Sequence, residues 1–226
     1  MDLPNLKYIT QAGGKLRKEL CLEFANICAQ KNIKFYIMYG QAEATARISY
    51  LPSEQVHKKP GSIGIPISGG KIWLEDENGM VVDKQFLAGE LVYQGDNVTL
   101  GYAENRFELQ KGDENQGILY TGDLAKRDQD DYYYIVGRKK RYLKMFGNRI
   151  NLDDIEQLIL SEGNECACSG IDDALNIFIT KPEEKNRIKK YISKKTGIHL
   201  NGLEMVIVDK IPRNETGKIL YSELDS

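Results

Sequence analysis

Residues 137–156, with the sequence GRKKRYLKMFGNRINLDDIE, join a strand-like segment, a glycine turn and the start of a helix. The basic residues of this stretch are interleaved with Tyr142, Leu143, Met145 and Phe146, so it has the apolar side chains that a solvated run of charge lacks. The alternation predicts a strand, and the asparagine before LDDIE predicts a helix start. Taken alone, the stretch also fits a basic surface hairpin or a nucleic-acid patch, because short clusters of Lys and Arg are weak motifs.

Length and composition set broad limits. With 226 residues, the chain can form one large domain or two modest ones with real hydrophobic cores. Its 31 Lys and Arg against 33 Asp and Glu give a net charge of -2, so no overall field attracts it to DNA or to an anionic membrane. We therefore expect no nucleic acid as its main partner.

No membrane or targeting signal is visible in the sequence. No apolar run approaches the roughly 18 residues of a membrane span. Residues 1–11 also lack a basic segment followed by an apolar one. These observations predict a protein without a membrane span, located in the cytoplasm.

The cysteines and the two isolated histidines predict neither a metal centre nor a catalytic group. Cys21 and Cys28 are seven positions apart on a predicted helix, and Cys166 and Cys168 form a C-x-C pair. Neither pair has the further ligands of a zinc site or the spacing of a disulfide framework. We predict buried or idle thiols at all four positions.

The beginning of the chain predicts an α/β arrangement. Residues 13–30 open with two glycines and continue with apolar residues at amphipathic helical spacing, and residues 33–38 are an apolar run typical of a buried parallel strand. This strand leads into the loop 39–47, YGQAEATAR, and loops at the carboxyl ends of parallel strands are where such sheets bind ligands. We assign residues 1–48 to an α/β subdomain.

The predicted secondary structure changes twice in the rest of the chain. Residues 49–136 contain short strands separated by turn residues, ending in a hairpin, which predicts a distorted β-barrel subdomain. Residues 137–226 mix helices at 152–160 and 183–196 with short strands, which predicts a compact α+β domain. The whole is therefore expected to be a mixed α/β and α+β fold in three parts.

Four separated motifs stand in a fixed order: YGQAEAT at 39–45, YTGD at 120–123, GRKKRYLKMFGNRI at 137–150 and IPRNETGK at 211–218. Each is weak by itself, but together they closely resemble the adenylate-forming superfamily of acyl-CoA synthetases, firefly luciferase and peptide-synthetase adenylation domains. The resemblance covers essentially the whole chain. It implies the C-terminal part of such an enzyme: a remnant of the parallel α/β subdomain, the distorted barrel, and a small mobile α+β domain at the C-terminus.

The resemblance also implies a reaction. A carboxylic acid attacks the α-phosphate of ATP, pyrophosphate leaves, and a thiol then displaces AMP from the acyl-adenylate. The thiol belongs to coenzyme A or to the pantetheine of an acyl carrier protein, with coenzyme A preferred. Such chemistry needs a Mg²⁺ ligand, a ribose clamp, a cation near the reacting phosphate, and a means of exchanging the two half-reactions.

The first two motifs supply the nucleotide site by resemblance. Glu43 is expected to hold Mg²⁺, which prefers hard oxygen ligands. Tyr39 and Gly40 are expected to line the adenine and acyl pockets, and Gly13 and Gly14 to give a flat backbone approach to the purine. The ordinary alternative for Glu43 is a glutamate in the first turn of a helix.

Two further residues are implied at the ribose. Asp123 is placed to accept hydrogen bonds from both ribose hydroxyls, since a carboxylate is an acceptor only, and Arg138 is placed to donate to the ribose. The ordinary alternative for Asp123 is a turn-capping aspartate.

The C-terminal domain carries the remaining roles implied by the resemblance. Lys218 matches the catalytic lysine, an ammonium charge for the phosphorus transition state. Lys140 falls at the hinge about which the domain exchanges the two half-reactions. Lys144, Gly147 and Arg149 match the loop that enters for the thiol step, where glycine leaves room for the pantetheine.

Two departures from the family pattern matter. Ala42 stands where the family has a threonine, which removes a hydroxyl that donates to phosphate. Nothing between residues 1 and 14 resembles the Ser/Thr/Gly-rich phosphate loop that ends in Pro-Lys. We therefore expect an acid-thiol ligase that needs an N-terminal half, inactive as these 226 residues alone. The alternative is a non-catalytic remnant that binds AMP or a protein partner.

Overall fold

The computed structural model describes residues 4–14, 16–215 and 217–224, which contain four separate sheets and three α-helices. They belong to two compact units, Met1–Val136 and Gly137–Ser226. The predicted mixed α/β and α+β fold is confirmed. The finer division at residue 48 and the mobility of the second unit stay predictions. Among the described residues, no helix is both long and apolar enough to cross a membrane.

The first sheet contains a parallel β-α-β crossover. Its strands, in the order β1-β2-β3-β4, are β1 (Tyr8–Gln11), β2 (Lys34–Tyr39), β3 (Ser49–Leu51) and β4 (Ile65–Pro66). Strand β1 runs parallel to β2, and α1 (Lys18–Gln30) connects them. The helix begins two residues after Leu16, the first apolar residue of the pattern, because the residue before it, Arg17, is extended with ψ 142°. Cys21 and Cys28 are buried on one helix face, as predicted, and pack near Phe35.

The second sheet occupies the region predicted to form a distorted barrel. Its strands, in the order β5-β6-β7-β8, are β5 (Lys71–Glu75), β6 (Gly89–Gln94), β7 (Ile118–Arg127) and β8 (Tyr133–Arg138). The described strands form an open sheet and do not close into a barrel. The turn between β7 and β8 is held by Asp128, whose Oδ1 accepts hydrogen bonds from the backbone N–H groups of Asp130 and Tyr132, each at 3.0 Å.

The second unit is a helix-covered sheet with a separate hairpin. The hairpin strands are β9 (Tyr142–Met145) and β10 (Asn148–Asn151); then come α2 (Leu152–Ser161), β11 (Cys166–Ile171), β12 (Ala174–Ile179), α3 (Lys185–Thr196) and β13 (Leu203–Ile207). Strand β12 pairs antiparallel with β11 and parallel with β13. Helix α2 begins as predicted, because the side chain of Asn151 caps it by accepting from the Asp153 N–H at 2.9 Å. Cys166 and Cys168 are buried in this core.

A buried charged cluster joins three segments of the second unit. The guanidinium of Arg141 donates to Glu156 Oε1 at 2.6 Å and to Asp153 Oδ1 at 2.9 Å. It also lies 3.9 Å from the ring centre of Tyr221, whose hydroxyl donates to Glu156 Oε2 at 3.0 Å. Burial raises the pKa of Glu156, against the opposing effect of Arg141. The cluster therefore fixes the C-terminal segment that carries Lys218 to helix α2.

Candidate functional site

A buried carboxylate joins the first two motifs. Asp123, on β7, is only 4% exposed, and its Oδ2 accepts a hydrogen bond from the Tyr39 hydroxyl at 2.5 Å. The Gln41 amide donates to the same oxygen at 3.2 Å and to the Thr121 carbonyl at 2.9 Å. We call these four residues the carboxylate cluster. It brings together positions 39 and 123, which the resemblance placed at one nucleotide site.

The carboxylate cluster is built to keep a charge buried. A buried carboxylate is tolerated only with strong donors, and Tyr39 and Gln41 supply two of them. Burial, followed by the charge of Asp123, raises the pKa of Tyr39, so its hydroxyl remains a donor at physiological pH. Asp123 on β7 is therefore a fixed acceptor, held by the tyrosine that ends β2.

Gln41 was missed by the sequence analysis. It follows Tyr39 by two positions, and residues two apart on an extended chain point to the same side. Its amide bridges to Thr121 and Asp123 on the neighbouring sheet. A polar side chain two positions after a site tyrosine was therefore the available signal.

The loop after β2 depends on a glycine. It folds back so that the Ile48 N–H donates to the Tyr39 carbonyl at 2.9 Å. A β-carbon at Gly40 would lie 2.2 Å from the Ala46 carbonyl oxygen, far inside normal contact. Thr45 and Ala46 have φ of 46° and 70°, values that are uncommon for residues other than glycine. Gly40 is therefore required by a close backbone approach, and its contact with adenine stays a prediction.

Glu43 is half-buried on a short 3₁₀ turn, Ala42–Ala44. Its Oε1 accepts a hydrogen bond from the Tyr102 hydroxyl at 2.7 Å, and its carbonyl accepts from the Thr99 N–H at 2.8 Å. No group of three or more His, Cys, Asp or Glu suited to a metal occurs in the part of the chain that the structure describes. One half-buried carboxylate still fits Mg²⁺, which usually takes one or two protein ligands and completes its shell with phosphate and water.

The glycine pair after β1 forms an open backbone surface. No described atom lies within 4 Å of a β-carbon placed at Gly13 or Gly14, and the Gln11 amide donates to the Gly14 carbonyl at 2.7 Å. Gln11 Oε1 is buried and, within the described residues, accepts no hydrogen bond. The open backbone of the two glycines leaves room for the close approach of a flat ligand such as a purine.

The basic residues around the start of the second unit lie at the end of a strand and in the turn that follows it. Arg138 is the last residue of β8 and is exposed, and Lys140 lies in the 3₁₀ turn Lys139–Arg141 that follows. The turn ends at the charged cluster, because Arg141 is one of its members. The ribose role of Arg138 and the hinge role of Lys140 stay predictions.

The β9–β10 hairpin presents two cations on one face. Its two-residue turn is Phe146-Gly147, with φ of 51° and 87°, the left-handed pair typical of a type I′ turn. Lys144 lies directly opposite Arg149, so both side chains point to the same side of the hairpin. The Arg149 guanidinium also stacks 4.6 Å from the Tyr142 ring. Like charges placed opposite one another destabilise a hairpin, so this face fits an anionic ligand.

The loop that carries Lys218 is a closed turn. The Lys218 N–H donates to Asn214 Oδ1 and its carbonyl accepts from the Asn214 N–H, each at 2.9 Å. Arg213 holds the turn by donating to the Gly217 carbonyl at 2.7 Å and by pairing with Glu165 at 2.8 Å. Lys218 is exposed on this turn, while Thr216 of the same motif lies outside the described residues. The catalytic role of Lys218 stays a prediction.

Comparison with known proteins adds to this geometry. Residues 1–103 match the family model described as AMP-binding enzyme. A 2-succinylbenzoate–CoA ligase of Bacillus cereus is 29% identical over 230 residues, which cover 98% of this chain and 46% of that ligase. The corresponding ligase of Geobacillus sp. (strain WCH70) is 27% identical, over 88% of this chain and 42% of its own length. The chain thus spans about half the length of these relatives.

Solved structures show the same fold. The O-succinylbenzoate coenzyme A synthetase of Bacillus subtilis in complex with AMP aligns with a TM-score of 0.75 and 24% identity, over 97% of this chain and 46% of that one. The same synthetase with ATP and a magnesium ion gives a TM-score of 0.74. A benzoate CoA ligase from Burkholderia xenovorans gives 0.67 at 22% identity, over 97% of this chain and 45% of that one.

Proposed function

We propose that the chain is the C-terminal part of an adenylate-forming, AMP-binding enzyme, and that it carries the ribose site and the transfer domain of an ATP-dependent acid–thiol ligase; the family match over residues 1–103 and the similarity to acid–CoA ligases support this. The observation that carries this proposal is the carboxylate cluster, in which Tyr39 and Gln41 fix the buried charge of Asp123. A fixed carboxylate next to the end of β2 is suited to a vicinal diol, because it can accept two hydrogen bonds.

The first unit binds the nucleotide in this proposal. Asp123 accepts from the ribose hydroxyls, while Gly13 and Gly14 lie against the purine, where their open backbone leaves room for a flat ring. Glu43 contributes one oxygen to Mg²⁺, which when bound neutralises phosphate charge. The Tyr102 hydroxyl holds the Glu43 carboxylate in place.

The second unit serves the two chemical steps in turn. Arg138 donates to the ribose, and Lys218 places an ammonium where negative charge develops as the carboxylic acid attacks the α-phosphate. Rotation about Lys140 then brings the β9–β10 hairpin into use. Lys144 and Arg149 attract the phosphates of coenzyme A, and Gly147 leaves space for its pantetheine. Coenzyme A is favoured over a carrier protein, because the two paired cations suit a polyphosphate ligand.

The proposed ligase also needs a phosphate-binding loop and an acyl pocket. We propose that an N-terminal half supplies both, in the same polypeptide or in a separate one. The 226 residues alone should then bind AMP weakly and show no turnover with ATP, an acid and a thiol. Hydroxamate or acyl-CoA formation by these residues above background would contradict this part of the proposal.

A calorimetric titration with AMP tests the ribose site directly. Asp123→Asn removes a charged acceptor while keeping its volume, and hydrogen bonds to charged groups contribute about 1.5–3 kcal/mol, so the dissociation constant should rise roughly tenfold or more. Asp209→Asn is the matched control, because Asp209 is an exposed carboxylate of the other unit. Equal AMP affinity in wild type and Asp123→Asn would overturn the assignment.

The second candidate function is a non-catalytic remnant that binds AMP or a protein partner. It is favoured by Ala42, which lies at the start of the 3₁₀ turn where the family threonine would offer a hydroxyl. Supplying the N-terminal half of a ligase relative, as a fusion or a separate chain, distinguishes the two candidates. The ligase proposal expects ATP–pyrophosphate exchange to appear, whereas a remnant stays inert. Ala42→Thr should raise the rate further if the missing hydroxyl limits activity.

A further inference from the structure

The outer edge of strand β9 is covered by a neighbouring turn. Strand β9 pairs with β10 on one side, which leaves the N–H groups of Lys144 and Phe146 on the other. Asp172 Oδ1 accepts from the Lys144 N–H at 2.8 Å, and Asp173 Oδ1 accepts from the Phe146 N–H at 2.6 Å. The Asp173 N–H donates back to the Lys144 carbonyl at 2.8 Å. Two adjacent carboxylates thus take the place of a partner strand.

The tip of the same hairpin rests on a glycine. Gly202, which precedes β13, is buried, and a β-carbon there would lie 2.8 Å from Cε2 of the Phe146 ring and 3.0 Å from the Met145 methyl group. Phe146 is nevertheless 56% exposed, so one edge of its ring is seated and the rest faces solvent. The absence of a side chain at Gly202 therefore lets the Phe146 ring, and with it the hairpin tip, pack directly against the backbone before β13.

Two residues at this contact have a left-handed backbone. Phe146 has φ +51° and Asp173 has φ +63°, both in the left-handed region that residues other than glycine rarely adopt. These two residues are joined by the 2.6 Å hydrogen bond. Strained residues persist only where their surroundings over-determine them, and they concentrate at functional positions.

We propose that Asp172, Asp173 and Gly202 are positioning residues for the thiol step. They hold the hairpin tip so that Gly147 and the cations Lys144 and Arg149 meet the phosphates and pantetheine of the incoming thiol. This inference rests on the proposed function, because it assigns the supports to the second half-reaction. The three residues touch the hairpin and act through it.

Amide hydrogen exchange on the whole chain tests the support itself. Asp173→Asn keeps the left-handed backbone accessible but weakens the acceptor, and it should speed exchange at the Phe146 amide roughly tenfold. Gly202→Ala should do the same by displacing the ring, whereas Gly112→Ala is a control in open space. Amides of the core residues Ile155 and Ile188 should keep their protection. Unchanged Phe146 exchange in both variants would overturn the proposal.

Half-reaction kinetics test the role in transfer, using the chain completed by an N-terminal half. Asp173→Asn and Gly202→Ala should leave ATP–pyrophosphate exchange within about twofold of wild type and raise the KM for coenzyme A about tenfold. An equal loss in both half-reactions, or in neither, would overturn the positioning role. One further outcome is a completed wild type that adenylates no acid while the variants still speed amide hydrogen exchange at Phe146. In that case the proposed function and the role in thiol transfer both fail, but the structural support of the hairpin by Asp173 and Gly202 is demonstrated.

Discussion

Replacing Tyr39 by phenylalanine should destabilise the first unit through one missing hydroxyl. The Tyr39 hydroxyl donates to Asp123 Oδ2 at 2.5 Å, and Asp123 is 4% exposed, so water has little access to the oxygen left behind. A hydrogen bond to a charged group contributes about 1.5–3 kcal/mol, and Gln41 retains its own bond to the same oxygen. We therefore expect a loss of about 2 kcal/mol in the free energy of unfolding.

Urea unfolding followed by tryptophan fluorescence measures this loss. Trp73 is the single tryptophan of the chain and lies in β5 of the first unit, so its signal reports on that unit alone. Tyr36→Phe is the matched control, because it makes the same change three positions earlier on β2. There the ring centre lies 6.5 Å from that of Tyr8. That control should lose no more than about 0.5 kcal/mol.

A double-mutant cycle shows whether the charge of Asp123 is responsible. In an Asp123→Asn background the Tyr39 hydroxyl donates to a neutral oxygen, a bond that contributes about 0.5–1.5 kcal/mol. Tyr39→Phe should then cost about 1 kcal/mol less than in the wild type. Two results would refute a charge-assisted hydrogen bond between Tyr39 and Asp123. One is an equal loss of stability in Tyr39→Phe and in the Tyr36→Phe control; the other is additive losses for Tyr39→Phe and Asp123→Asn.

Three further results are expected. Tyr221→Phe, which removes the hydroxyl bound to Glu156 but keeps the ring, should lower the stability of the second unit by about 1.5–3 kcal/mol, measured by hydrogen exchange of its core amides. Burial opposes ionisation of Asp128, but Lys59 and two backbone N–H groups together lower its pKa. The stability that ionised Asp128 contributes is therefore present above the unfolded pKa of about 3.9 and is lost as pH falls through the folded pKa. Asp128→Asn should thus make the free energy of unfolding less dependent on pH in the acid range. Lys218→Ala should reduce ATP–pyrophosphate exchange in the completed enzyme by about 10²–10³ while AMP affinity is retained.

Sequence patterns predicted much of the fold, because periodicity and caps are local. The helices at 152–160 and 183–196 appear as Leu152–Ser161 and Lys185–Thr196, within two residues of the predicted ends. The distorted barrel was less accessible, since closure depends on strand pairing between distant segments and the described strands form an open sheet. Helix α1 starts at Lys18 and not with the apolar pattern at Leu16, because Arg17 has an extended backbone that apolar spacing does not reveal.

The candidate site was partly visible in the motifs. Tyr39 and Asp123 were both named from the resemblance, and the structure joins them by a hydrogen bond. Gln41 and Tyr102 were not, because each acts through a partner more than fifty positions away, Thr121 in one case and Glu43 in the other. Contacts of that separation carry no local pattern in a single sequence.

The charged cluster of Arg141, Glu156 and Tyr221 has a mechanical consequence. It fastens the lysine-bearing C-terminal segment to the same core that supports the β9–β10 hairpin. The lysine loop and the hairpin are therefore attached to the same core, so a rigid movement of the second unit would move both. Under the proposed hinge at Lys140, one rotation of the second unit would move the lysine loop and the hairpin together, and no separate movement of either would be needed to exchange the two proposed steps.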